Sequence, residues 1–354
     1  MSSTFQAKCA SVVNEVYLSQ LCREKDETVS LEGPKKLGYY SFYYNDEKEI
    51  VYCPDKSSLR YLDLPNPVYI NCLKGYDSNI KFGNKNPKGS NLLRWILENE
   101  TILSDLSYDF ICNNGLLKEF MTFKFNNDDW TFSATKIRGK IILNRIHSDE
   151  EKASIDARTE QSNKSTYVAN NLQLLIAKNI DQSQGDVKRE EDSFFGVFHS
   201  KIGSHQILHS GFLGCVETKE DLDKPIDEMK FVLIKKFNGP RVSHSPFQAD
   251  TWWALAALAG IDKIVRAKCQ RDFMCKNIDK LDVKSLIYKS RQMDFVNSLN
   301  TVLDHVKSTV TEENKCYNFH LNGRIKKLTG YLMNDLDENL IPSWYIDEQL
   351  PVEA

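Results

Sequence analysis

Two stretches decide the predicted fold: residues 200–215, SKIGSHQILHSGFLGC, and residues 229–237, MKFVLIKKF. Both are rich in the β-branched and aromatic residues that favour strands, and a polar, acidic connection of residues 217–228 separates them. The apolar run from Phe231 to Ile234 is typical of a central strand that is covered on both faces. The sequence therefore predicts two neighbouring central strands.

Central strands of this kind carry the metal-binding carboxylates of many nucleases and phosphohydrolases. Here the corresponding positions hold Phe212, Gly214 and Leu233. None of these side chains contains an oxygen that could bind an ion. What the chain does depends on whether other residues replace the missing acids.

Composition narrows the class of protein. The 354 residues are 41% hydrophobic and 11% aromatic, so the chain can bury a large core in one domain or two. A formal net charge of −3 argues against a generally basic nucleic-acid binder but leaves room for a local basic groove. The nine cysteines are scattered and form no C-x-x-C pair, which is typical of buried thiols in a reducing compartment. Residues 1–8 lack the apolar core of a signal peptide, and no run reaches membrane-spanning length, so we expect a soluble intracellular protein.

Apolar spacing and turn residues predict the remaining elements. Residues 147–165 and 181–192 are expected to be flexible surface loops, the first of them alternatively a fraying helix. The sequence shows no β-α-β rhythm, no P-loop and no strand followed by G-x-G-x-x-G. This favours an α/β (α+β) fold in which residues 1–354 form a single large domain with mixed sheets flanked by helices.

Helices are predicted at Val12–Arg23, Ser90–Glu98 with Ser90 as its cap, Tyr167–Ile180, Pro246–Gly260 and Val283–Thr311. Strands are predicted at Lys36–Tyr44, Glu49–Cys53, Asp109–Cys112, Glu119–Phe125, Trp130–Ala134, Lys136–Asn144, Ile261–Phe273, within Lys315–Gly330, and at Leu340–Ile346.

Three groups of side chains suggest a site, and each has a plainer interpretation. His199, His205 and His209 would lie too far apart along a strand for one ion, so ordinary strand histidines are favoured. The pair Trp252-Trp253 is expected in the core and not as a base-stacking platform. The acids Glu217, Glu220, Asp221 and Asp223 are expected to be solvated, although a shifted register would make them substitute metal ligands.

Basic residues could line a groove for RNA. Lys136, Arg138 and Lys140 on one strand, with Lys235, Lys236 and Arg241 on another, would do so if the two strands are near each other. Otherwise they are solvated faces of the protein.

Six short strings, taken in order, resemble the DXO-type decapping exoribonuclease family. No single string decides the match, but together they span nearly the whole chain. They are Leu37-Gly-Tyr-Tyr-Ser41, Leu92-Leu-Arg-Trp-Ile-Leu97, Ser200-Lys-Ile-Gly-Ser-His205, Ser210-Gly211, Thr251-Trp-Trp-Ala254 and Ile341-Pro-Ser-Trp-Tyr345. The resemblance implies one compact domain with two sheets, acting on RNA 5′ ends through divalent metals that carboxylates hold.

The resemblance also places the family's metal-binding acids on positions that lack them here. The helix acid falls on Gln173, the two strand acids on Phe212 and Gly214, and the next strand acid on Leu233. The lysine that accompanies this last acid is retained as Lys235. The glutamine usual after Trp-Trp-Ala is Leu255, and Lys136 stands where the family prefers arginine.

These losses imply a catalytically inactive protein, because two-metal chemistry needs carboxylates to hold the ions and aim the attacking water. We therefore expect no catalytic residue, no metal and no cofactor. The retained cations make Lys136, Arg138 and Lys235 the candidate contacts to an uncapped RNA 5′ end. Two alternatives stay open: an active decapping enzyme or pyrophosphohydrolase that uses substitute acids, and a pure protein-interaction scaffold.

A decapping-nuclease scaffold without its acids resembles the degenerate, Cutoff-type members of the family. That resemblance implies a nuclear protein of the germline that acts in transcription of piRNA-source loci and protects nascent transcripts from processing, decay or termination. It also implies assembly with partners resembling Rhino and Deadlock, and no contact with membranes.

Overall fold

The computed structural model describes residues 9–18, 29–45, 47, 49–78, 89–179, 192–238, 246–338 and 340–349. Seventeen strands are found in these ranges. They are β1 Cys9–Tyr17, β2 Leu31–Tyr44, β3 Ile50–Cys53, β4 Arg60–Leu62, β5 Ile70–Asn71, β6 Phe110–Asn113, β7 Trp130–Ile137, β8 Lys140–Ile146, β9 Ala177–Asn179, β10 Ser193–Ile202, β11 His205–Phe212, β12 Cys215–Val216, β13 Phe231–Asn238, β14 Lys263–Cys269, β15 Met274–Asp282, β16 Cys316–Asn322 and β17 Lys327–Met333.

Eight α-helices accompany the strands in the described ranges. They are α1 Ser90–Glu98, α2 Glu100–Leu103, α3 Asn114–Thr122, α4 Asp149–Asp156, α5 Glu160–Ile176, α6 Pro246–Ala259, α7 Lys289–Thr309 and α8 Ser343–Ile346. No helix among the described residues has the length and apolar character needed to cross a membrane.

The strands form two mixed sheets. The larger sheet has ten strands in the order β1-β17-β16-β7-β8-β6-β11-β10-β2-β3, and the smaller has seven in the order β5-β15-β14-β13-β12-β4-β9. Strands β6, β8 and β11 run parallel to one another, and most other pairs are antiparallel. Helices flank both sheets. The predicted single α/β domain with large mixed sheets is therefore confirmed.

The two stretches that decide the fold lie mainly in different sheets. Residues 200–202 and 205–212 of the first stretch belong to β10 and β11 of the larger sheet, whereas the second stretch is β13 of the smaller sheet. The prediction that the two are neighbouring strands is therefore wrong for β11 and holds only at Cys215, the last residue of the first stretch. The chain passes from one to the other through β12, whose Cys215 pairs with Val232 of β13. The bend before β12 thus brings the end of β11 next to the start of β13.

Three clusters of buried side chains hold these layers together. The main core joins both sheets to α3, α6 and α7 and contains Trp252 and Trp253, as predicted for this pair. A second core lies under α1, where Leu92, Leu93 and Ile96 meet Tyr40 and Phe42. The third core lies under α5, which contributes Val168, Leu172 and Ile176, and covers the outer face of the smaller sheet.

Three predicted elements and one predicted helix cap differ from the structure, because tertiary contacts override local spacing. Residues of the predicted Val12–Arg23 helix belong to β1, which pairs with β17 at the edge of the larger sheet. The predicted strand Glu119–Phe125 falls largely within α3, whose first turn is capped by the Asn113 side chain. The predicted last strand contains the short helix α8, and the cap residue of α1 is Gly89, not Ser90.

The first expected surface loop, residues 147–165, is helical. Ser148 and Glu151 form a capping box that starts α4, and Thr159 caps α5. This polar segment is therefore ordered by its own hydrogen bonds and not by burial. The second expected loop, residues 181–192, lies outside the described residues except for Asp192.

Candidate functional site

The positions that the resemblance assigns to metal-binding acids meet where α5 crosses the bend between β11 and β12. Gln173 of α5 is buried, and its side-chain Nε2 donates a hydrogen bond to the main-chain oxygen of Gly214. Gly214 in turn lies against β13: a Cβ built on it would be 2.8 Å from the Val232 oxygen and 3.7 Å from the Cα of Leu233. The structure thus brings Gln173, Gly214 and Leu233 together.

Phe212 completes this group at the end of β11. Its side chain is 39% exposed, and its ring centroid lies 6.0 Å from that of Phe195 in an edge-on arrangement. Leu255, the remaining degenerate position, is half-buried on α6 against the main core. Phe212 and Leu233 are thus aromatic and aliphatic where the resemblance implies acids, and Leu255 is aliphatic where it implies glutamine.

The residues present do not fit the divalent ions that the resemblance implies. Such ions take several oxygen ligands, mainly from carboxylates. Phe212, Gly214 and Leu233 have no side-chain oxygen, and Gln173 contributes one neutral amide whose nitrogen already bonds Gly214. No group of three or more His, Cys, Asp or Glu side chains within the described ranges is arranged to hold a metal.

The acidic cluster is not directed at this site either. Glu217 accepts hydrogen bonds from Lys263 at 3.1 Å and from Lys280 at 2.8 Å. Asp221 is buried and accepts from Thr218 and Lys224, 3.2 and 2.5 Å away. These carboxylates are therefore neutralised locally, so their use as substitute ligands would require these ion pairs to break.

Lys235 is the charged group that the site leaves unneutralised. It lies two residues after Leu233 on β13, hence on the same face of the strand. Its Nζ has no hydrogen-bond or ion-pair partner among the described residues. Burial, together with the smaller effect of the nearby Lys118 charge, lowers the pKa of Lys235 to about 8.

The next residue, Lys236, differs from Lys235 because its ammonium has hydrogen-bond partners. Its side chain points to the other face of β13, where Nζ donates to the main-chain oxygen of Ser165 at 2.9 Å. Lys118 on α3 has its own counter-ion, Glu119, at 2.5 Å. The Lys235 ammonium has no such partner among the described residues, so its charge is available to an anion.

The structure does not place Lys136 and Arg138 beside Lys235. Lys136 of β7 pairs with Ile141 of β8, which pairs with Phe110 of β6, which in turn pairs with Ile207 of β11. Lys136 is therefore level with Ile207, whereas the degenerate site begins five residues later on β11, at Phe212. At about 3.3 Å per residue and 4.8 Å per strand, the two places are roughly 16 Å apart along β11 and 14 Å across the sheet. The predicted single groove is therefore not formed by these residues, while their role as RNA contacts stays a prediction.

Both residues also have partners where they lie. Lys136 Nζ donates to the Thr311 oxygen at 3.2 Å and lies 3.9 Å from Glu313. Arg138 bonds Glu348 and stacks 4.6 Å from the ring centroid of Tyr345. Lys140 lies over the Tyr108 ring, and Arg241 is outside the described residues.

A buried hydrogen-bonded chain next to the site was not predicted from the sequence. His209 of β11 lies with Nδ1 2.5 Å from Asn114 Oδ1 and Nε2 2.8 Å from Ser200 Oγ. Burial lowers the pKa of His209 to about 3, so the ring is neutral. Because the amide oxygen only accepts, Nδ1–H donates to Asn114 and Nε2 accepts from the Ser200 hydroxyl. All three residues are buried, so this chain fixes α3 against β10 and β11 and does not reach a substrate.

The other two histidines of the predicted group contact different residues. His199 Nε2 lies 3.2 Å from the Ser107 oxygen, and His205 Nε2 lies 2.6 Å from Asp304 Oδ1. Burial lowers the pKa of His205 although the Asp304 carboxylate opposes this shift. The three histidines therefore serve separate structural contacts.

Comparison with known families identifies the scaffold. The sequence profile of the family described as RAI1 like PD-(D/E)XK nuclease matches residues 32–346. The chain belongs to the RAI1-like family. This RAI1-like chain is 20% identical over 263 residues to the decapping and exoribonuclease protein Rai1 of Drosophila melanogaster, covering 68% of each protein. It is 22% identical over 350 residues to the decapping and exoribonuclease protein of Xenopus laevis, covering 89% of this chain and 85% of that one.

Solved structures share the fold of the RAI1-like chain. Scheffersomyces stipitis Rai1 superposes with a TM-score of 0.73 at 15% identity, covering 96% of this chain and 98% of that one. Candida albicans Rai1 in complex with pU5-Mn2+ superposes with a TM-score of 0.72 at 16% identity, covering 91% and 96%. The family resemblance and its two-sheet fold are thereby confirmed.

Proposed function

We propose that this protein is a catalytically degenerate RAI1-like protein that holds the 5′ end of uncapped RNA without hydrolysing it. The observation that carries the proposal is Lys235: a partly buried ammonium without a partner in the described residues, next to positions that offer no metal-binding carboxylate. A terminal phosphate would supply the missing negative charge.

Loss of hydrolysis is proposed from the donor chemistry of the site. In two-metal hydrolysis the ions stabilise the attacking and leaving oxygens and lower the pKa of the bound water. Gln173, Phe212, Gly214 and Leu233 supply neither the charge nor the oxygens to hold such ions. Binding of phosphate does not have the same requirement, because the Lys235 ammonium acts directly on the anion.

Relatives support the choice of RNA as the ligand. Candida albicans Rai1 has been solved in complex with pU5-Mn2+, a 5′-phosphorylated oligonucleotide with manganese. If this RAI1-like chain kept the end-binding place, the lysine on β13 is the group that would contact the terminal phosphate.

The direct experiment compares RNAs that differ only at the 5′ end. Binding of 5′-monophosphate and 5′-hydroxyl RNA of the same sequence is measured in EDTA by fluorescence anisotropy, with wild type and Lys235→Gln. We expect the monophosphate to bind at least tenfold more tightly to wild type and this preference to disappear in Lys235→Gln. Equal affinities for the two RNAs in wild type would contradict phosphate-end binding.

Hydrolysis is tested separately. Capped, 5′-triphosphate and 5′-monophosphate RNAs are incubated with the protein and magnesium or manganese, and no metal-dependent products are expected. If products form and Glu217→Ala abolishes them, the active enzyme with substitute acids replaces the inactive one. If neither products nor end-dependent binding is found, a protein-interaction scaffold is the remaining function.

The biological setting is proposed from the resemblance to Cutoff-type members alone. On that basis we infer a nuclear protein of piRNA-source loci that protects nascent transcripts in a complex with partners resembling Rhino and Deadlock. Immunofluorescence in germline nuclei and co-precipitation of such partners test this setting. Exclusive cytoplasmic staining would contradict it while leaving RNA-end binding open to its own test.

A further inference from the structure

Three cysteines meet in the third core, on the side of the smaller sheet away from Lys235. Cys269 ends β14, Cys275 lies in β15, and Cys72 directly follows β5. All three are buried, and Cys72 Sγ lies 3.8 Å from Cys269 Sγ. We call these residues the thiol trio.

Strand pairing explains why the three sulfurs meet. Cys269 and Cys275 oppose each other in the antiparallel pair β14–β15, and directly opposed side chains have Cβ atoms about 5 Å apart. Strand β5 pairs with β15 on its other side, and the amide of Cys72 donates to the Phe273 oxygen at 3.1 Å. The sequence hides this cluster because 197 positions separate Cys72 from Cys269.

A cation lies beside the thiol trio. Lys236, on β13 next to β14, places its Nζ 5.5 Å from the ring centroid of Phe273, and its charge interacts with Cys269 and Cys72. Hydrogen bonds with the other two sulfurs lower the pKa of the Cys275 thiol, whereas the same contacts raise the pKa of Cys269. The Cys275 thiol, which donates to the Asn277 oxygen at 3.4 Å, is therefore the member of the trio that loses its proton most readily, and the Lys236 cation lies beside the trio. A cysteine of this kind, next to further thiols, is typical of oxidation-sensitive sites. The trio is not arranged to hold a metal.

We propose that the thiol trio is an oxidation site in which hydrogen peroxide produces a disulfide between Cys72 and Cys269. The Cys275 thiol gives up its proton and, as the thiolate, attacks one peroxide oxygen. The O–O bond breaks, Cys275 becomes a sulfenic acid, and the departing hydroxide takes up the proton to form water. The Cys269 thiol then displaces a second water and forms the Cys269–Cys275 disulfide. Cys72, in contact with Cys269, attacks the Cys269 sulfur, and its proton passes to the released Cys275, which is again a thiol.

Access to the buried trio follows from its position. Strand β5 has two residues, Ile70 and Asn71, and forms one edge of the smaller sheet. A short edge strand opens more readily than central strands do, because few hydrogen bonds hold it. Opening of β5 displaces Cys72 and admits a molecule as small as peroxide to Cys275.

The test uses the full-length wild-type protein. It is treated with hydrogen peroxide under native conditions, its remaining thiols are blocked with N-ethylmaleimide, and its peptides are mapped by mass spectrometry without reduction. We expect a cross-linked pair containing Cys72 and Cys269 that dithiothreitol reverses, with two of the nine thiols lost. A disulfide between other cysteines, irreversible oxidation of single cysteines, or no reaction would overturn the proposal.

Two variants separate the roles within the trio. Cys275→Ser should slow formation of the Cys72–Cys269 bond at least tenfold, because the attacking thiolate is gone. Cys112→Ser, a buried cysteine of the main core on β6, is the matched control and should react at the wild-type rate. If Cys275→Ser reacts as fast as wild type, Cys275 is not the peroxide-sensing group. Since the wild-type map needs no variant, the proposal stays testable if a variant does not fold.

Discussion

The side-chain amide of Gln173 donates to the main-chain oxygen of Gly214, joining helix α5 to the bend between β11 and β12. This bond satisfies a buried carbonyl at the point where the two sheets approach each other. A carboxylate at position 173 has no hydrogen to donate and would place one oxygen against another. The bond and a metal-binding acid at this position therefore exclude each other unless the backbone moves.

Gln173→Glu is accordingly expected to destabilise the protein and not to create a metal ligand. The loss should be about 1–3 kcal/mol at neutral pH, because a buried carbonyl loses its donor and a charge is buried beside it. Urea unfolding measures the loss, with and without manganese. The control Gln173→Leu removes the donor without adding a charge and should lose less. A Gln173→Glu protein as stable as wild type, and further stabilised by manganese, would show that the site still accepts an ion.

Acids placed at Phe212, the end of β11, and at Gly214, in the bend that follows, should affect stability differently. Phe212→Glu puts a carboxylate on a 39% exposed side chain, so the free energy of unfolding should change by less than about 1 kcal/mol. Gly214→Asp has no room, because its Cβ would lie 2.8 Å from the Val232 oxygen, and should cost at least about 2 kcal/mol. Thermal unfolding compares the two variants. Equal stabilities would mean that β12 and β13 separate easily.

The sequence allowed prediction of much of the fold because several elements are set locally. Helix α6 begins at Pro246 and ends before Gly260, and the hairpin of β2 and β3 follows its alternating aromatics. Helix α3 was missed because its apolar residues also suit a strand, and the cap by Asn113 that decides for a helix is a single hydrogen bond. Strand β1 was missed because only its pairing with β17, more than 300 residues away, makes it extended.

Part of the candidate site could likewise be predicted from the sequence, and part could not. The resemblance assigns Gln173, Gly214 and Leu233 to one site, and in the structure Gln173 bonds Gly214, whose backbone lies against Leu233. It could not reveal that Lys136 is level with Ile207 and thus distant from Lys235, because that fact depends on the register of four strands. Nor could spacing connect Ser200, His209 and Asn114, since their contact requires β10, β11 and α3 to be packed.

Because Lys136 and Lys235 lie apart, replacing each by glutamine should change the affinity for RNA by different amounts. Lys235→Gln should weaken binding of 5′-monophosphate RNA roughly 10- to 150-fold, which corresponds to about 1.5–3 kcal/mol for a contact with a charged group. Lys136 lies on β7 of the larger sheet and Lys235 on β13 of the smaller sheet, so Lys136→Gln should change that affinity less than threefold. Lys236→Gln controls for charge on β13 itself. An equal loss in Lys136→Gln and Lys235→Gln would show that both sheets contact one RNA.

End binding should also depend on pH through Lys235. The protonated ammonium binds phosphate, and its pKa of about 8 means that the charge is lost as pH rises through that value. Affinity for 5′-monophosphate RNA should therefore fall between pH 7 and pH 9, whereas affinity for 5′-hydroxyl RNA stays constant. Anisotropy titrations at constant ionic strength measure both. Because bound phosphate favours the charged form, the midpoint should lie at or above about pH 8. A flat profile for the monophosphate would mean that another group carries the contact.

Acid sensitivity of folding should report on His209. Burial holds its pKa at about 3 in the folded protein, whereas the unfolded chain titrates near 6.5, so the unfolded state binds more protons between these values. Stability from this residue is complete above about pH 6.5 and is lost as pH falls toward about pH 3, by up to about 1.4 kcal/mol per pH unit. In His209→Gln the loss between pH 6.5 and pH 4 should be smaller, although this variant is less stable at pH 7 because Ser200 and Asn114 lose their partner. Urea unfolding of wild type and His209→Gln across this range measures the two slopes. If the slope is the same in His209→Gln and wild type, the pKa of His209 is not lowered in the folded wild-type protein.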